Sequence, residues 1–181
     1  MITTPHRIVL FGPESTGKTR LAEALAVHFG EPWAPEYVRE FWDARSGTIV
    51  AGDLDAIARG QIEAEERAVA RARRVVFCDT DLLTNVIWAD LLFPGSCPAW
   101  VRTEAERRAR TYTLYLLCLT DLPFDPDPQR CFPDEAGRVM CMRLWRETLV
   151  SRDLPMREVR GAGEERVRQA LAHVEAALAG D

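Results

Sequence analysis

Gly12-Pro13-Glu14-Ser15-Thr16-Gly17-Lys18-Thr19 decides how the rest of the chain is read. It fits the phosphate-binding pattern G-x-x-x-x-G-K-[ST], in which glycines let backbone amides turn inward around a phosphate. Upstream, the apolar run Ile8 to Phe11 leads straight into Gly12, and downstream Leu21, Ala22, Leu25 and Ala26 fall at helical spacing. The motif therefore has the strand, loop and helix setting it requires. In such a loop Gly12, Glu14, Ser15, Thr16 and Gly17 surround the phosphates, Lys18 reaches the outer ones, and Thr19 offers its hydroxyl to Mg²⁺. ATP and Mg²⁺ are the expected cofactors.

Lys18 carries a second signal. Of 23 basic residues, 22 are arginine and Lys18 is the only lysine. An ammonium is a compact point charge on a flexible stem, whereas a guanidinium is a broad planar fork that does not fit inside a loop closed round a phosphate. The guanine-reading N/T-K-x-D motif of GTPase switches needs a lysine that this chain lacks, so guanine-specific switching of that type is disfavoured.

At 181 residues the chain suits one compact domain, 1–181. Its 47% hydrophobic and 28% charged residues are ordinary for a soluble protein, and no apolar run reaches the about eighteen residues of a membrane span. A net charge of −5 disfavours nucleic acid as a partner. The basic clusters at 71–74 and 107–110 each lie near glutamates and read as solvated helix surface. Five cysteines without a C-x-x-C pair argue against disulfides and a zinc site. With no signal peptide in view, the expected setting is a reducing cytoplasm and the expected partner a small molecule.

Apolar, β-prone runs at 7–11, 31–35, 75–79, 112–119 and 156–160 alternate with helical patterns at 18–29, 37–45, 54–74, 82–92, 103–110, 136–152 and 164–179. That alternation predicts an α/β fold with a five-stranded parallel sheet and helices on both faces. Residues 121–133 stand apart, because four prolines in that span deny it a regular helix or strand. A loop of this length suggests a lid, at about 121–137.

Two further strand ends carry chemistry. Val75 to Asp79 is an apolar strand ending in carboxylates, as a Walker B element is, which makes Asp79 a candidate to hold Mg²⁺. After the second strand, Glu36 is placed to accept a hydroxyl proton, with Tyr37 and Arg39 shaping a pocket. The same Pro-Glu pair also suits a simple helix start with a favourable first-turn acid. A helix beginning near Asp81 sends Thr84, Asn85 and Trp88 along one side, where they can hold a flat polar ring.

The set GPESTGKT, APEYVREFW, VVFCDTDLLT followed by Trp88, Tyr115-Leu-Leu and DLPFDPDPQR resembles the ribosylnicotinamide kinase domain of the NadR family, in order and over nearly the whole chain. The resemblance implies a P-loop kinase fold and transfer of the ATP γ-phosphate to the 5′-hydroxyl of nicotinamide riboside. It implies substrate contacts from Glu36, Tyr37, Arg39, Asp81, Thr84 and Trp88, and catalytic roles for Lys18, Glu36, Asp79 and Arg130. Whether Glu36 or Asp79 is the base stays open. With one lysine available, further charge at the phosphates falls to arginine: Arg130 first and Arg138 second, both in or beside the proline-rich loop. Two departures stand out. The chain has no room for the adenylyltransferase domain of bifunctional relatives, and Asp127-Pro128-Gln129-Arg130 replaces the family's D-G-x-R lid. A kinase for another nucleoside or small hydroxyl compound, and a non-kinase ATP-binding switch, remain the alternatives.

Overall fold

The computed structural model describes residues 4–180. Five parallel strands, β1 (His6–Phe11), β2 (Trp33–Ala34), β3 (Val75–Asp79), β4 (Leu114–Cys118) and β5 (Met156–Val159), form one sheet in the order β2-β3-β1-β4-β5. Helices α1 (Lys18–Phe29), α2 (Tyr37–Ala44), α3 (Leu54–Val69), α4 (Leu82–Leu92), α5 (Ala99–Ala109), α6 (Glu135–Val150) and α7 (Gly163–Ala179) make the connections, with a short 3₁₀ turn at Ala51–Asp53.

The central strand shows why both faces are covered. Successive side chains of a strand point to opposite faces, and β1 is apolar on both. Val9 and Phe11 enter a core with Cys78, Tyr115, Leu117 and Trp145. Ile8 and Leu10 enter the other, with Leu21 and Leu25 of α1 and Ala170 and Val174 of α7. Burial of each large side chain contributes about 1.5–3 kcal/mol, so a one-residue slip of β1 would exchange the two cores at once.

β1 lies between β3 and β4, with Leu10 opposite Asp79 and Phe11 opposite Leu117. Strand order reverses around β1, and open α/β sheets bind ligands at the carboxyl ends of strands beside such a reversal.

The elements differ from expectation chiefly at their ends. The second strand is confined to Trp33–Ala34 instead of 31–35, because Pro32 and Pro35 flank it without amide donors. α3 stops at Val69 rather than 74, and the amides of Arg73 and Arg74 donate instead to the Glu31 carboxylate at 2.9 and 3.2 Å. α5 begins at Ala99 rather than 103, directly after Pro98, a residue that starts helices readily.

Candidate active site

The phosphate loop is held from beneath. Gly12 has φ 154°, and a Cβ there would lie 2.7 Å from the Cys118 carbonyl, so only glycine lets the loop lie on the end of β4. Gly17, at φ 75°, makes the left-handed turn into α1, whose free N-terminal amides face the loop. Thr16 Oγ1 and Lys18 Nζ each donate to the Pro13 carbonyl at 2.8 Å. Lys18, only 8% exposed, thus curls back over the loop.

Beside it, Thr19 Oγ1 donates to Asp79 Oδ2 at 2.5 Å. Asp79 Oδ1 is buried with no hydrogen-bond partner among the described residues. Burial and the nearby Glu36 charge push the Asp79 carboxyl up to about 6, while Lys18, Thr19 and Arg39 oppose that rise. A hydroxyl and a carboxylate with a free oxygen are the hard donors Mg²⁺ takes when water and phosphate complete its shell. Among the described residues no group of three or more His, Cys, Asp or Glu forms a metal cage, and an ion shared with phosphates needs none.

A cavity of about 370 Å³ opens from the phosphate loop toward α2, α3 and α4. Lys18 and Glu14 line one end; Glu36, Arg39 and Trp42 line the side; Thr80, Thr84, Asn85 and Trp88 line the wall opposite. Glu36 Oε2 accepts from Arg39 Nε at 3.1 Å, and Arg39 Nη1 reaches Asp127 of the lid at 3.9 Å. Gln61, 1% exposed, fixes this corner, accepting the Tyr37 amide at 2.9 Å and donating to the Pro35 carbonyl at 3.5 Å. Trp88 stacks on Phe132 at 6.1 Å and 13° and meets the edge of Trp145 at 5.1 Å.

The opposite wall holds unused polar capacity. Thr80 Oγ1, Thr84 Oγ1 and Asn85 Oδ1 are buried without partners among the described residues. Native proteins leave few such atoms, and these three belong to one wall of one cavity. Thr80 also has φ 77°, a conformation costly for a β-branched residue. Its strain sits directly after Asp79.

The proline-rich loop lies on the phosphate loop. Ser15 Oγ accepts the Asp125 amide at 2.7 Å and Arg130 Nη1 at 3.1 Å. The Glu14 carboxylate accepts the Cys131 amide at 2.9 and 3.0 Å and the Phe132 amide at 2.6 Å. Arg130 joins the cavity lining beside Gln129 and Cys131.

Of the residues expected from sequence, Lys18, Glu14, Glu36, Arg39, Thr84, Trp88 and Arg130 meet at this cavity, with Thr19 and Asp79 at its phosphate end. Five expected residues are placed differently. The Tyr37 ring turns away onto α3, where a Cβ on Gly60 would lie 2.0 Å from it. Asp81 is 1% exposed and caps α4, accepting the Thr84 amide at 3.2 Å and the Tyr115 hydroxyl at 2.8 Å; burial pushes its carboxyl up to about 7. Arg138 donates to the Thr120 and Leu122 carbonyls at 2.8 and 2.6 Å, bracing the base of the lid. The carboxylate of Glu14 and the hydroxyl of Ser15, expected on nucleotide, are engaged by the lid. Sequence reading missed Thr80 and Gln61. A glycine inside a helix at 60 was the available sign of a close approach.

On the far side of Gly17 a second cavity, of about 740 Å³, lies between Arg20, Leu122, Gly163 and Val167. Arg166, 4% exposed, forms its floor and donates to the Thr16, Leu119 and Gly161 carbonyls and to Asp121.

With this geometry in place, comparison with known proteins is informative. The family model described as AAA domain, AAA_28, matches residues 7–166. The trifunctional NAD biosynthesis/regulator protein NadR of Escherichia coli (strain K12) is 34% identical over 82 residues, 43% of this chain and 20% of that protein. The chain thus spans well under two thirds of the curated relatives it matches. A crystal structure of NadR protein in complex with NR superposes with a TM-score of 0.76 at 22% identity, covering 97% of this chain and 52% of that one. Thymidylate kinase from Ehrlichia chaffeensis superposes with a TM-score of 0.60 at 10% identity, covering 97% of this chain and 100% of its own. At these identities the shared property is the fold, a five-stranded parallel sheet of P-loop kinase type. Because the family match runs from the first strand into the last helix, the chain belongs to the AAA_28 family of P-loop AAA domains.

Proposed function

We propose that this chain transfers the γ-phosphate of ATP to the 5′-hydroxyl of nicotinamide riboside, giving nicotinamide mononucleotide. One observation carries the reading: a single cavity has the phosphate loop at one end, a strand-end carboxylate, Glu36, at its side, and an aromatic and polar wall opposite. The likeness to NadR, whose structure holds NR, supports the choice of acceptor.

Transfer of a phosphoryl group calls mainly for positioning and for positive charge around it. In this reading Glu36 orients the acceptor hydroxyl and takes its proton, since it lines the cavity while Asp79 is held by Thr19. Arg39 keeps the Glu36 carboxylate in place. Lys18 and Arg130 supply charge on the phosphate side, and the lid excludes water so that phosphate goes to the acceptor. Thr19 and Asp79 would hold Mg²⁺, which when bound neutralises phosphate charge. Trp88 offers a face for the ring, with Thr84 and Asn85 as polar contacts. The groove beside Gly163 suits the adenine.

The apolar part of the cavity wall, Ile49, Leu54 and Ile57, favours a second reading, a kinase for another nucleoside. ADP release measured with nicotinamide riboside, with common nucleosides and with no acceptor separates the two, with the product identified by mass. Expected is acceptor-dependent release strongest with nicotinamide riboside. Release that does not depend on any acceptor would overturn both.

A further inference from the structure

An acid in a phosphate-binding loop is an electrostatic oddity. The loop's amides and the α1 N-terminus draw negative charge, and a fixed carboxylate there opposes an incoming phosphate unless its own charge is satisfied elsewhere. Glu14 is satisfied elsewhere. Both its oxygens accept from the Cys131 amide, and Oε1 also accepts from the Phe132 amide at 2.6 Å. Hydrogen bonds with an ionised acceptor are about twice as strong as neutral ones.

What those two amides carry gives the contact its meaning. Arg130, one residue before Cys131, has its guanidinium on Ser15 of the phosphate loop. Phe132 stacks on Trp88 and is wedged against α6, where a Cβ on Gly137 would lie 2.9 Å from its own Cβ. The intervening lid has no helix or strand to fix its path. One carboxylate therefore sets the phosphate-side arginine and the acceptor-side aromatic together.

We infer that Glu14 is a positioning residue that latches the lid to the phosphate loop through the Cys131 and Phe132 amides, placing Arg130 and Phe132 at once and making phosphate transfer depend on exclusion of water. The inference rests on the phosphotransfer reading for its second half alone. The first half is a contact made within the chain itself.

The test uses the full chain and its Glu14→Ala and Glu14→Gln variants. Hydrogen exchange of the peptide spanning 125–134, without nucleotide, reads the latch. Loss of a charge-assisted bond should raise exchange at 131 and 132 by about tenfold or more in Glu14→Ala, with Glu14→Gln between, since its amide oxygen still accepts. The second readout is ADP formed per acceptor phosphorylated. It should stay near one for the natural chain and rise in Glu14→Ala as water competes, with the acceptor KM raised and the thermal midpoint little changed. A residue important only for folding would move the midpoint and leave that ratio alone. Unchanged exchange at 131 and 132 overturns the latch, whatever the activity. Faster exchange with an unchanged ratio overturns the link to water exclusion. A chain that phosphorylates no acceptor would sink the proposed function, and the latch would still be decided by the exchange.

Discussion

Arg166→Met removes the guanidinium of one of the most heavily bonded side chains of the fold and keeps only an apolar stem. Its Nη1 donates to Asp121 at 2.9 Å and to the Gly161 carbonyl at 2.5 Å, and its Nη2 to the Leu119 carbonyl at 2.8 Å and the Thr16 carbonyl at 3.1 Å. Those acceptors belong to the loop after β4, the turn before α7 and the phosphate loop. Methionine fills only the space of the stem and offers no donor, so the carbonyls lose their partner and Asp121 loses its counter-charge. Removing one member of a buried charged pair costs about 3–5 kcal/mol. The Asp121 side chain is 37% exposed and regains water, which puts the expectation at the low end, about 3 kcal/mol. A chain of this size has an unfolding entropy of about 0.4 kcal/mol/K, so the midpoint should fall by about 8 °C.

Differential scanning calorimetry at neutral pH measures that fall directly. Arg166→Lys should lose less, because it keeps a charge near Asp121 and cannot reach all four acceptors. The Thr16 carbonyl ties the effect to the site: losing its brace loosens the phosphate loop, so the KM for ATP should rise in Arg166→Met even at temperatures where the variant is folded. A midpoint within about 3 °C of the natural chain would show that the four contacts do not hold these segments together.

Four further outcomes follow from the geometry. Glu36→Gln should lower turnover by roughly 10² or more with little change in ATP affinity, and unchanged turnover would remove Glu36 from proton transfer. Lys18→Arg keeps the charge and should still depress transfer by roughly 10² or more, because the broad fork must fit where an ammonium now lies 2.8 Å from the Pro13 carbonyl; near-normal steady-state rates would refute this. Gly60→Ala drives a Cβ into the Tyr37 ring and should destabilise by about 1–3 kcal/mol while raising the acceptor KM, both checked by urea unfolding and kinetics. At Asp121 burial raises the carboxyl, but the Arg166 guanidinium and the Gly161 amide outweigh it and hold it below its ordinary 3.8. A depressed folded pKa gives stability that is complete above that ordinary value and lost as pH falls through the folded one. Asp121→Asn should therefore melt earlier at neutral pH, with the gap to the natural chain closing as pH falls below the ordinary 3.8; a gap that stays constant through that fall would exclude an ionic origin.

The parts of the fold legible in the sequence were those fixed by local pattern. Residues 18–29 and 82–92 are helical as their spacing predicts, and β3 occupies residues 75–79, because motif, burial period and turn residues agree there. Long-range capture set the rest. Nothing local tells that Glu31 takes the amides of Arg73 and Arg74 and stops α3 early. Nor does sequence tell which way a polar side chain beside a site will face. Tyr37 follows Glu36 directly, yet a glycine on α3 draws its ring off the cavity. Asp81 stands two residues after Asp79, yet the start of α4 and the Tyr115 hydroxyl take both its oxygens. In each case residue type and position were right for ligand binding, and a partner distant in sequence claimed the group first.

The same competition explains how positive charge is divided at the phosphates. Arg166 reaches the phosphate loop at the Thr16 carbonyl and Arg138 the base of the lid at the Thr120 and Leu122 carbonyls, and both direct donors to backbone carbonyls. Among the described residues, three cationic side chains line the cavity: Lys18, Arg39 and Arg130. Arg39 is paired with the mostly buried Glu36 at 3.1 Å, whereas Arg130 pairs with the exposed Asp125, at 3.4 Å, so in the proposed reaction Lys18 on the phosphate loop and Arg130 on the lid are the charges a phosphate could draw on most easily. One belongs to the phosphate loop and the other is held against it by Ser15. If the proposed function holds, the charge from Arg130 and the exclusion of water both depend on the lid contacts of Glu14 and Ser15, so loosening the lid should slow transfer to the acceptor more than loss of phosphate to water. In the proposed reaction that arrangement would favour the acceptor over water without any residue having to recognise water.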